Sequence, residues 1–147
     1  MRIVALVFAV LCGPVQACTP VTMPEAEVHL ASINAARADA GLAPVALDAG
    51  LSRMARDHAC DMATRGYFDH TAPDGSGLFD RATRAGLMGF CQLAENIARG
   101  QQDIPTVMAI WLRSPGHRAN LLDAGLTHVG LGRAQGPHWV QVFGGQC

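Results

Sequence analysis

Apolar residues Val28, Leu30, Ile33 and Ala36 support a first helix, and Leu51, Ala55, His58 and Met62 share one stripe of a second. Residues three or four apart share one face of an α-helix, so a stripe of this kind predicts a helix packed on a core. Thr22 with Glu25 three positions later has the form of a capping box, and the helix it opens ends near Gly41. Asp48 caps the second helix, and Gly66 offers it a left-handed stop. From Phe68 to Gly77 the chain is rich in Asp, Pro, Gly and Thr, which predicts a surface loop. Phe79 to Ala85 follows as a short helix closed by Gly86. Ile104 to Arg113 predicts a further helix, with Pro105 in its first turn and Pro115 breaking it.

The period then changes. His128-Val129-Gly130-Leu131-Gly132 and Trp139-Val140-Gln141-Val142-Phe143 are short and β-rich, with Gln135-Gly136-Pro137 between them, and predict an antiparallel pair with a tight connection. Helices over the first three quarters and strands at the end point to an α+β fold rather than alternating βαβ units. No internal repeat or low-complexity tract interrupts the pattern.

Arg2, the apolar run Ile3 to Leu11 and then Val15-Gln16-Ala17 have the parts of a secretory signal peptide over residues 1–17. That run is shorter than the about 20 apolar residues a membrane span needs, and no later stretch reaches this length, so no transmembrane segment is expected. Residues 18–147 then form one domain, secreted or periplasmic and monomeric. Val15-Gln16-Ala17-Cys18 also has the form of a lipoprotein cleavage site, the alternative being a lipid anchor on Cys18. The formal charge is −1 and the basic residues, all arginine, are scattered, which leaves no electrostatic footprint for nucleic acid. Without lysine, Schiff-base and lysine-nucleophile chemistry are excluded.

Chemistry-bearing residues concentrate in three separated places. Tyr67-Phe68-Asp69-His70-Thr71 lies in the polar loop, and Glu95 stands in Ala94-Glu95-Asn96-Ile97, after Glu25 and Glu27 the one remaining glutamate. Trp111 to Asn120 packs Ser114, His117, Arg118 and Asn120 around the helix-breaking Pro115. Folding alone can unite His70, Glu95 and His117. Two neutral imidazoles and a carboxylate match the ligand set of an open zinc site, and equally suit a hydrogen-bonded arrangement without metal. Ser114 lacks the Gly-x-Ser-x-Gly surroundings of a nucleophile elbow and reads as a helix-end hydroxyl. His58 reads as a core-edge histidine, and Trp111 and Trp139 as core.

These pieces occur in a recognisable order: Asn34 and Arg37, Tyr67-Phe68-Asp69-His70-Thr71, Ala94-Glu95-Asn96-Ile97, Trp111-x-x-Ser114-Pro115-Gly116-His117-Arg118-x-Asn120, Val129-Gly130-Leu131-Gly132 and Trp139 to Phe143. Together they resemble the bacterial branch of the CAP superfamily, the group of cysteine-rich secretory proteins, antigen 5 and pathogenesis-related proteins. The resemblance runs from about Glu27 to Phe143. It implies an α-β-α sandwich with a central antiparallel sheet and a cleft that in many members holds two histidines and two glutamates, some with a divalent metal. His70, Glu95 and His117 fall on three of those positions, and Ser114 replaces the second glutamate. The expected cleft is therefore His70, Glu95, Ser114, His117 and Asn120, with His70, Glu95 and His117 as the set for a cation such as zinc. One carboxylate fewer favours a binding module, with cell-wall or lipid-like ligands implied by the resemblance, over an efficient enzyme. A peptide or ester hydrolase, metal-assisted or not, is the alternative.

Cys18, Cys60, Cys91 and Cys147 remain after the signal and permit three pairings. Cys60 lies off the buried stripe of its helix, where a partner explains it best. The expected bridges are Cys60–Cys91, beside Glu95, and Cys18–Cys147, joining the ends.

Overall fold

A computed structural model describes Cys18 and residues 21–147; the signal-peptide reading of residues 1–17 lies outside the described residues. The first helix, α1 (Met23–Asp39), starts on the expected capping box. The Glu25 carboxylate accepts from the Thr22 backbone N–H at 2.9 Å, and the Thr22 hydroxyl accepts from the Glu25 N–H at 3.4 Å. A two-residue strand, β1 (Ala46–Leu47), precedes α2 (Ala49–Arg65), whose first turn is held by Asp48 Oδ1 accepting from Leu51 N–H at 2.7 Å. Gly66 closes α2 at φ +71°, a backbone conformation that costs glycine nothing. After the polar loop come α3 (Leu78–Arg84), β2 (Phe90–Arg99), α4 (Ile104–Arg113), α5 (Pro115–Leu121), β3 (His128–Ala134) and β4 (His138–Gln146).

Besides the two-residue β1, two elements are absent from the sequence pattern. Pro115 opens α5 instead of merely ending α4, because the N–H it lacks has no partner at a first helical position in any case. The ten residues of β2 include Ala, Glu and Asn, poor strand formers, and four consecutive residues, Glu95 to Ala98, are buried, so no alternation marks the strand.

The sheet runs in the order β1-β3-β4-β2, with β2 and β3 both antiparallel to β4 and the short β1 parallel to β3. It is thus mixed, with an antiparallel body. Because side chains alternate across a strand, β4 sends Trp139 and Phe143 to one face and Val140 and Val142 to the other. The first face packs on α1, α4 and α5 through Ile33, Val107, Trp111 and Leu121. The second packs on α2 and α3 through Leu51, Met54, Ala55, Met62 and Ala82. On this side β3 presents Gly130 and Gly132, and the α2 backbone lies directly against them, Leu51 and Ser52 at Gly130 and Ala55 and Arg56 at Gly132.

The disulfides are Cys18–Cys60 and Cys91–Cys147, which corrects the expected Cys60–Cys91 and Cys18–Cys147. The reason is the unanticipated strand. Antiparallel pairing sets Phe90 opposite Gln146, and Cys147 N–H donates to Gly89 O at 3.1 Å, so the start of β2 meets the end of β4. The Cα atoms of Cys91 and Cys147 are therefore 5.1 Å apart, within the usual span of a disulfide. Cys60 does have a partner, as its place off the stripe requires, and that partner is Cys18. With its sulfur in this bridge, Cys18 has no thiol left for a lipid.

Candidate functional site

The site forms where the two helical layers meet around the free edge of β2. Glu95 points to the α2 and α3 side, and its neighbour Asn96, by the strand's alternation, to the α4 and α5 side. Glu95 has a side chain only 2% exposed, and a buried carboxylate requires a partner. Three surround it. Arg81 from α3 donates from Nη2 to Glu95 Oε2 at 2.7 Å, His70 donates from Nδ1 to Glu95 Oε1 at 2.8 Å, and His58 Nε2 stands 3.8 Å from Oε1. Arg81 also donates from Nη1 to the His70 carbonyl at 2.8 Å, fixing the loop that carries the histidine.

The three histidines differ in electrostatic state. His70, with half its side chain in solvent, is pushed above the ordinary histidine range by its hydrogen bond to Glu95. Burial pushes His58 down, against the pull of Glu95; its Nε2–H donates to the Asp69 carbonyl at 3.0 Å. His117, on α5 in the opposite layer, is lowered by burial and then by the charge of His70. His117 Nδ1 is buried without a hydrogen-bond partner.

Of the expected residues, His70 and Glu95 are in direct contact, and the backbone of His117 is tied to β2 by the Asn96 amide at 3.2 Å. Asn120 spends its amide within the fold, donating to Glu95 O at 3.2 Å and Asn96 Oδ1 at 2.9 Å. Ser114 stands at the α4–α5 junction, where its hydroxyl makes no capping bond and no bond to either histidine. Arg81 is the residue the sequence pattern missed, and His58, read as a core-edge histidine, is buried and faces Glu95. The signal for a cation was the buried glutamate itself, but eleven arginines give no means of choosing one from sequence.

A zinc set of His70, Glu95 and His117 does not fit this arrangement. Arg81 occupies one Glu95 oxygen, the His70 N–H occupies the other, and a guanidinium at 2.7 Å repels a cation placed there. Among the described residues no three His, Cys, Asp or Glu side chains are grouped to hold a metal ion.

Behind the site a chain of buried polar groups runs along the face of the sheet that α1, α4 and α5 cover. Asn96 donates to His117 O and to Gln141 Oε1, each at 3.2 Å, and Gln141 Nε2 lies 2.9 Å from His29 Nε2. The His29 ring stacks on Trp111 and is 1% exposed; burial lowers its pKa to about 4. Between pH 6.5 and 4 the unfolded chain binds a proton at this histidine that the folded chain refuses, so stability must fall as the pH falls. The full difference is about 3 kcal/mol. Chemical denaturation across that window should show this loss, with a shallower slope in His29→Gln; an unchanged slope would show that His29 takes up its proton in the folded state.

The sequence profile of the cysteine-rich secretory protein family, CAP, matches residues 30–145. The chain is 39% identical over 114 residues to the uncharacterized protein YkwD of Bacillus subtilis strain 168, covering 77% of this chain and 44% of that protein. It is 37% identical over 99 residues to the uncharacterized membrane protein YlbC of the same strain, covering 67% and 28%. The chain thus spans less than half the length of either relative. Among solved structures, an extracellular protein containing an SCP domain from Bacillus anthracis superposes with a TM-score of 0.77 at 32% identity, over 82% of this chain and 40% of that one. An outer surface protein of Borrelia burgdorferi shares the fold, with a TM-score of 0.76 at 21% identity over 86% and 96%. With helices on both faces of its sheet and the His70, Glu95 and His117 segments in place around one strand edge, this chain belongs to the cysteine-rich secretory protein (CAP) family.

Proposed function

We propose that this domain works outside the cytoplasm as a binding module, and that its cleft takes the carboxylate or a similar oxyanion of a small cell-wall or lipid-like molecule. The observation that carries the reading is the 2.8 Å bond from His70 to a buried Glu95 that Arg81 already neutralises. It stabilises a charge on an imidazole half open to solvent, beside the uncharged His117. A charged donor next to a neutral donor complements an oxyanion. An extracellular setting is supported by the Bacillus anthracis and Borrelia burgdorferi proteins and by the disulfides. Among the described residues no helix is long and apolar enough to cross a membrane.

The test is to follow the imidazole signals of His70 and His117 by nuclear magnetic resonance while adding a peptidoglycan-derived peptide or a fatty acid. Saturable shifts are expected, with affinity falling as pH rises through the elevated His70 pKa and lost in His70→Ala. Binding insensitive to both pH and His70→Ala would overturn the reading. A hydrolase is the second reading, favoured by one observation: the environments of His70 and His117 push their proton affinities apart, as an acid and base pair requires. Turnover of an ester or peptide with a bell-shaped pH profile, lost in His117→Ala, would establish it. Ser114 has no part in this version, since no histidine activates it.

A further inference from the structure

On the far side of the Glu95 cluster lies a cavity of about 360 Å³ between α2, α3 and the loop joining them, which neither His70 nor His117 lines. Its size is at the smaller end of the about 300–1,000 Å³ typical of ligand pockets. His58 and Arg81, which hold Glu95, also form part of its wall. The Arg81 side chain is nine-tenths buried, yet its Nε–H has no acceptor. A buried guanidinium donor without a partner is costly, and a small turn of Arg81 that opens Nε to the cavity lets a ligand oxygen satisfy it.

The remaining wall mixes both signs of charge with apolar surface. Arg84 and Asp74 lie 3.6 Å apart and Arg65 and Asp61 3.4 Å apart, at side chains one-third to more than one-half exposed. Exposed pairs of this kind contribute little to stability, so a ligand carrying both charges can replace them at small cost. Asp57 adds a third carboxylate, and Met54, Ala72 and Ala85 provide apolar contact. A purely anionic ligand would meet three aspartates here, and a purely cationic one three arginines.

We propose that this cavity is a second binding site, for a small zwitterion of the amino-acid or short-peptide class. Arg81 and Arg84 receive its carboxylate, and Asp57 and Asp61 its ammonium group. The cavity shares Arg81 and His58 with the Glu95 cluster but takes its own ligand, and the proposal does not rest on what the His70 cleft binds.

The probe is the zwitterionic dipeptide alanyl-alanine, titrated into the disulfide-bonded protein while backbone amide signals are recorded. Saturable shifts are expected at Asp57, Ser76 and Arg84. N-acetyl-alanine, without the ammonium, and alaninamide, without the carboxylate, should each bind about tenfold more weakly. Arg84→Gln and Asp57→Asn alter exposed side chains outside the Glu95 cluster and should each weaken the dipeptide about tenfold in a folded protein. No saturable response at millimolar dipeptide, equal affinity for the capped compounds, or shifts confined to His70 and His117 would overturn the proposal. None of these results removes the oxyanion reading of the His70 cleft, which fails on its own probes.

Discussion

Replacing Arg81 with alanine should destabilise the protein by about 3–5 kcal/mol, the usual consequence of removing one partner from a buried ion pair. Glu95 is 2% exposed at its side chain, so water cannot take the place of the guanidinium. The remaining neighbours, His58 and His70, would have to supply the positive charge. Arg81's own charge lowers the proton affinity of both, so both should titrate at higher pH in Arg81→Ala. Denaturant melts would give the stability, and imidazole signals followed against pH the second effect. A double variant, Arg81→Met with Glu95→Gln, should recover much of the lost stability, because the charge that needs neutralising is gone. A loss below about 1 kcal/mol in Arg81→Ala, as for an exposed pair, would show that the carboxylate is satisfied without the arginine.

The larger effect is expected at the glycines of β3. A Cβ on Gly130 would overlap the backbone of Leu51 and Ser52, and one on Gly132 the backbone of Ala55 and Arg56. Neither clash can be relieved by a rotamer change, since main chain is on the other side. The helix must lift from the sheet and take Leu51, Ala55 and Met62 with it. Overpacking a core usually costs about 1–3 kcal/mol. Gly130→Ala should lie at or above the top of that range, and the Gly130→Ala, Gly132→Ala pair at about 5 kcal/mol or more, within the exceptional class. Since α2 also carries His58, any folded remnant should show a displaced His58 signal. Gly136→Ala, whose Cβ would meet only the His138 ring at ordinary contact distance, makes a useful contrast. Its cost comes instead from φ +81° in the β3–β4 turn. A double glycine variant as stable as the parent would disprove the close helix–sheet contact.

Several features were legible because they depend on neighbours in the chain. The Thr22–Glu25 capping box, the Asp48 cap and the Gly66 stop are local hydrogen-bonding and backbone devices, and all three are in place. The stripe Leu51, Ala55, His58 and Met62 is buried as its spacing requires. The order of motifs was enough for the family and thus for the layers. In contrast, β2 was not legible. Its strand character is imposed by β4 on one side and by packing on both faces, with little help from the propensities of Ala94, Glu95 and Asn96.

That single omission accounts for the wrong cysteine pairing and for the unnamed partners of Glu95. Without β2 there was no register to place Cys91 beside Cys147, and the bridges were paired wrongly. Nor was there a strand alternation to send Glu95 toward α2 and α3, where Arg81 and His58 wait, so the choice between a metal and a hydrogen-bonded arrangement stayed open. Pattern and motif order along the chain were sufficient for the helices with their caps, for the α+β class and for the family, and they singled out His70 and Glu95, which meet in the fold. How the cysteines pair and what neutralises Glu95 emerged on folding alone, because strand register and buried charge partners are set by contacts between segments far apart in the chain, whose energy no local pattern records.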